Sequence, residues 1–135
     1  MLAGANGAAS QAAEGDDGIL TAEEMAALDL RGVDLAVLSG CDTGRGQTAV
    51  GEGVFGLRRA FEIAGVRSLI MSLWRIPDRE TRRWMTLFYS DRLSGASVSA
   101  AARNATLANL ADLRERERPT HPFVWAGIVA AGDWC

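Results

Sequence analysis

The stretch Val33-Asp34-Leu35-Ala36-Val37-Leu38-Ser39-Gly40-Cys41-Asp42-Thr43-Gly44-Arg45-Gly46 decides how this chain is read. An apolar, partly β-branched run closed by glycine is the signature of a buried strand. Cys41 then stands at the carboxyl end of that strand, on the edge where open α/β sheets hold their ligands. A thiolate nucleophile suits this position, and it requires a base, usually a histidine. The only histidine is His121, eighty residues further on. The chain therefore shows a nucleophile without an obvious partner.

Upstream of this strand, Thr21-Ala22-Glu23-Glu24 has the spacing of a capping box and predicts a short helix from Ala22 to about Leu28. Residues 1–18, rich in Ala, Gly, Asn and Asp without sustained period, read as a loop or mobile arm. The folded part is then expected over 19–135. Downstream, Val54, Leu57, Phe61 and Ala64 recur at helical spacing from Glu52 to Ala64, and Gly65 supplies the stop. Arg67 to Trp74 reads as a second buried strand closed by Pro77. Asp78 is the expected cap of a helix reaching Leu93, with Trp84, Met85, Leu87, Phe88 and Tyr89 on its apolar side. A further helix is expected from Val98 to about Glu117, and a last strand from Phe123 to Ala130. The order strand, helix, strand, helix, helix, strand indicates an α/β protein with a mainly parallel sheet. Three strands are few for such a site, and the chain reads as the second half of a domain.

Composition narrows the function. With 135 residues, 48% apolar and 23% charged, the chain has the size and balance of one ordinary globular domain. A net charge of −3 implies no general affinity for nucleic acid or anionic membrane. No apolar run approaches the roughly 18 residues that a bilayer span requires, and residues 1–18 lack the positive start of a secretory signal. Two cysteines, one of them terminal, make no disulfide framework, so a reducing cytoplasm is the expected location. Nothing calls for a metal or another cofactor. Gly51-Glu52-Gly53-Val54-Phe55-Gly56 matches the G-x-G-x-x-G spacing of dinucleotide sites. It begins ten residues beyond Cys41, however, and no acid closes the next strand, where Trp74 and Arg75 stand. The simpler reading is a close approach of helix to sheet.

The segments Ser39-Gly40-Cys41-Asp42-Thr43-Gly44, Gly51-Glu52-Gly53, Gly56-Leu57, Ala60-Phe61 and Ala64-Gly65 resemble the catalytic-cysteine half of a CHAT domain. The likeness continues through Ser72-Leu73-Trp74, Asp78, Thr81, Met85, Phe88-Tyr89, His121-Pro122 and Trp125-Ala126. Upstream it takes in Leu2 to Asn6 and Gly18 to Glu24. The resemblance implies a caspase-like three-layer α/β/α sandwich and peptide-bond hydrolysis by a His–Cys dyad. Tetratricopeptide repeats often accompany such domains. Cys41 takes the place of the family's nucleophile. The family's histidine lies on an earlier strand, upstream of the segment that resembles Leu2 to Asn6. The chain is accordingly expected to lack both that base and the N-terminal strands.

His121 matches a different family position, in the turn entering the last strand, where it is expected to close the turn rather than serve as base. Trp74 ends a strand on the same edge as Cys41 and is expected to line a substrate pocket. Asp42 either pairs with a basic substrate side chain or, more simply, caps its own loop. Without its base the Cys41 thiol should titrate near about 8.5, and the chain alone should cleave no peptide efficiently. The open sheet edge predicts association with a chain that supplies the missing strands and histidine. Two functions compete on these residues. One is a cysteine endopeptidase acting on peptide or protein substrates. The other is a non-catalytic interaction module derived from the same fold.

Overall fold

The structure is a computed structural model that describes residues 20–38 and 52–133, with the backbone alone over 52–55. Its elements are α1 (Ala22–Ala27), β1 (Leu35–Leu38), α2 (Glu52–Ala64), β2 (Ser68–Ser72), α3 (Asp78–Leu93), α4 (Val98–Glu115), α5 (Pro122–Trp125) and β3 (Ile128–Gly132). The capping box forms as the spacing predicts. Thr21 Oγ1 accepts from the Glu24 N–H at 3.2 Å, and the Glu24 carboxylate accepts from the Thr21 N–H at 2.8 Å.

β2 is the middle strand of a sheet ordered β1-β2-β3. Its side chains alternate between two cores, as a strand's period of two requires. Ile70 faces a cluster with Ile76, Trp84, Phe88, Ala101, Ala105 and Ile128, built by α3 and α4. Leu69 and Met71 face the opposite cluster with Met25, Ala60, Phe61 and Val66, built by α1 and α2. Helices thus cover the sheet on both faces. Every residue of β1 is only half-buried, and among the described residues β1 pairs on one side alone.

The sheet is mixed, which corrects the mainly parallel sheet expected from element order. β1 and β2 are parallel, with Leu35 opposite Ser68 and Leu38 opposite Met71. β2 and β3 are antiparallel, with Ser68 opposite Gly132 and Ser72 opposite Ile128. The cause lies in the connection. One helix returns the chain for a parallel strand, but α3 and α4 form an antiparallel hairpin. Its register is set by Trp84 Nε1–H donating to Thr106 Oγ1 at 2.9 Å and Asn104 Nδ2–H donating to Asp91 at 2.9 Å. Two helices bring the chain back to the edge at which β2 ends, with Ile128 opposite Ser72, so β3 runs back against β2.

Two local expectations also change. Asp78 is the first residue of α3 rather than its cap; Pro77 holds the cap position without a side-chain bond. There Asp78 and Glu80 place negative charge in the first turn, where the helix dipole favours it. The expected last strand over Phe123–Ala130 divides into α5 and β3. Pro122 occupies the first position of α5, where its fixed φ and missing N–H suit a helix start.

Candidate functional site

The parallel register of β1 and β2 brings their carboxyl ends to one edge. Leu38 lies opposite Met71, and beyond Met71 the chain continues through Ser72 and Leu73 to Trp74. The Leu73 N–H donates to the Gly127 carbonyl at 2.8 Å, which carries the β2–β3 pairing past the strand ends. The hydroxyl of Ser72 donates to the Trp74 carbonyl and curls the chain over the edge. Cys41 follows Leu38 by three positions in sequence. Cys41, Asp42 and Cys135 all lie outside the described residues.

Trp74 is half-buried and held from two directions. Its indole N–H donates to the Phe123 carbonyl at 2.8 Å. Its ring stacks on Phe123 with centroids 5.8 Å apart and planes 9° from parallel. Gly127 passes directly beneath, where a Cβ would stand 2.8 Å from the Trp74 ring and 2.9 Å from Ile76 Cδ1. The backbone can approach this closely only without a side chain. Gly127→Ala is therefore expected to push the indole off Phe123 and cost about 1–3 kcal/mol by overpacking. Chemical denaturation checks the loss, and a stability unchanged within about 0.5 kcal/mol would contradict this account of the contact.

His121 stands at the same edge as the N-cap of α5. Its Nδ1 accepts from the Phe123 N–H at 3.2 Å. An imidazole nitrogen that accepts carries no proton, so in the neutral ring the proton sits on Nε2. The expected turn-closing role of His121 is what the structure shows. Trp125 reinforces the turn through an indole N–H donated to the Thr120 carbonyl at 3.0 Å.

Phe123 escaped the sequence reading. Phe123 is 54% exposed, and its ring, stacked on Trp74, leaves an apolar surface at this edge. The signal for it was present in His121-Pro122, a capping residue followed by a proline suited to a first helical turn. Among the described residues no group of three or more His, Cys, Asp or Glu converges to hold a metal, and no helix is long and apolar enough to cross a membrane. The opposite edge is closed by an ionic clasp. Arg67 reaches Asp34 at 3.2 Å and Asp133 at 3.5 Å over a cavity of about 190 Å³.

The family model for the CHAT domain matches residues 2–133. Tetratricopeptide repeat protein 28 of Mus musculus is 32% identical over 116 residues, covering 85% of this chain and 4% of that protein. The Homo sapiens protein of the same name is 32% identical over 115 residues, with the same coverage of each. The chain thus spans about 4% of the length of these curated relatives. No solved structure matches it.

Proposed function

The chain belongs to the CHAT domain family, and from that membership we propose that residues 19–135 form the cysteine-bearing part of a caspase-like cysteine endopeptidase. The supporting observation is the parallel register of β1 on β2, with Leu38 opposite Met71. It gathers the ends of both strands, Trp74 and the 121–127 turn at one edge, and in sequence Cys41 comes just after β1. In this reading the Cys41 thiolate attacks a peptide carbonyl, the amine leaves with a proton from a histidine, and water hydrolyses the thioester. With His121 committed to its cap, that histidine belongs to a segment outside these residues. Trp74 contacts the substrate peptide, and Asp42 either does so or caps its loop. The working protein is cytoplasmic, and tetratricopeptide repeats, which the relatives' name carries, accompany the domain.

A non-catalytic interaction module is the second reading, favoured by the half-buried β1, which among the described residues pairs on one side alone. Alkylation of the intact natural polypeptide separates the two. A peptidase predicts that Cys41 reacts faster than Cys135 at neutral pH, with a thiol pKa well below about 8.5. It also predicts peptide hydrolysis that Cys41→Ser abolishes. Equal reactivity of the two thiols with no hydrolysis sinks the peptidase and leaves the interaction module.

A further inference from the structure

We infer that the groove between the outer sides of α3 and α4 docks an acidic peptide segment of a partner protein. Arg79, Arg82, Arg83, Thr86 and Leu87 follow one another at helical spacing along α3 and line one wall. Asp112 of α4 lines the other, and the groove encloses about 320 Å³. All three arginines are exposed. Asp112 is the one carboxylate in the lining, and it is already engaged. Arg116 donates to it at 2.8 Å and Arg83 lies at 3.6 Å. The hydrogen bond from Arg116, with the charges of Arg83 and Arg79 adding to it against some desolvation, holds its carboxyl below the usual range. Asp112 therefore stays ionised and spoken for, and neither Arg79 nor Arg82 has an ion-pair partner among the described residues.

This excess of positive charge stands on a chain of net charge −3. Like charges three and four residues apart on a helix repel, so the stripe opposes the stability of α3 until an anion is present. Guanidinium groups bind carboxylates through paired N–H donors, and arginine clusters are a recurrent means of reading acidic motifs. The wall contributed by Leu87 adds an apolar contact that a free inorganic anion does not use. An acidic chain with one short arginine stripe neutralises too few phosphates to hold nucleic acid. The chemistry is that of a peptide carrying several Glu or Asp side chains around an aliphatic one.

The test is fluorescence anisotropy of a labelled Glu-Glu-Leu-Glu-Glu peptide titrated with the full chain. The peptide is expected to bind, to weaken as salt rises from about 50 to about 200 mM, and to weaken about tenfold in Arg79→Gln/Arg82→Gln. Both positions are exposed, and circular dichroism verifies that the variant folds. The matching Gln-Gln-Leu-Gln-Gln peptide is expected not to bind. Absence of binding, equal binding of the two peptides, or equal binding to both proteins overturns the proposal. So does a peptide held no more tightly than inorganic phosphate in competition, which marks a simple anion site, or tighter binding of a DNA duplex.

Discussion

Trp84→Ala is expected to lower the stability of this fold by about 3–5 kcal/mol, the range for removing a large aromatic from a core that cannot collapse around the gap. Trp84 is fully buried. Its ring stacks on Phe88 with centroids 5.0 Å apart and planes 13° from parallel, and it packs with Ile70 and Ile128 of the sheet. Its indole N–H donates across the helical hairpin to Thr106 Oγ1 at 2.9 Å. One side chain therefore joins α3, α4 and two strands. Alanine removes the packing and the cross-helix hydrogen bond together. Trp84→Phe keeps most of the ring contacts and loses the donor, so it should cost less, about 1–2 kcal/mol. Small domains carry only about 5–15 kcal/mol in total, so the alanine variant should be partly unfolded under mild denaturant in which the phenylalanine variant remains folded. Urea titration of both variants makes the comparison. A loss below about 1 kcal/mol in Trp84→Ala would show that the hairpin does not depend on this contact.

The hairpin also explains where sequence pattern carries structure and where it stops. Thr21 and Glu24 reveal α1 because a capping box is a local bond pattern needing no tertiary partner. Ser68 to Ser72 reveals β2 because burial on both faces demands a continuous apolar run. Periodicity contains no direction, however. Ile128–Gly132 reads the same parallel or antiparallel, and its direction follows from two intervening helices packing as a pair. Phe123 to Ala130 is apolar throughout apart from Gly127, which suggests a strand, but Pro122 after a capping His121 starts a helical turn first. The Trp74–Phe123 stack was hidden for the same reason, since it requires that turn. Arg79, Arg82 and Arg83 look like an ordinary solvated face until α4 brings Asp112 beside them. Cys41 stands out in the sequence as a candidate nucleophile through its glycine-rich context at a strand end, and residues 39–51 lie outside the described structure.

Arg118→Ala is expected to destabilise the protein by about 3 kcal/mol, the lower end of the range for breaking a buried ion pair from one side. The Glu80 side chain is 5% exposed and Arg118 reaches it at 2.5 Å, itself 35% exposed. Partial solvation of the guanidinium moderates the effect, whereas the carboxylate has little water to turn to. Glu80 Oε2 and Asn109 Oδ1 are buried without hydrogen bonds, while Asn109 Nδ2–H donates to the Glu80 carbonyl at 2.9 Å. The site therefore has acceptors in excess, and Arg118 is the cation that balances it. Removing Arg118 leaves the charge behind, but Glu80→Met/Arg118→Met removes both partners and should recover most of the loss. Comparable losses in the single and double variants would show that the pair contributes packing rather than charge compensation. The pair also bears on the candidate site. Arg118 immediately precedes Pro119-Thr120-His121, and Glu80 lies in the first turn of α3, so the ion pair ties the segment leading into α5 to the helix that leaves β2 at the same edge. Arg118→Ala should accordingly speed amide hydrogen exchange at Phe123, whose N–H is held by His121 Nδ1, more than at Ile70 in the sheet core. Equal acceleration at both positions would mean that the loss is global and that the ion pair does not specifically hold the Trp74–Phe123 edge in place.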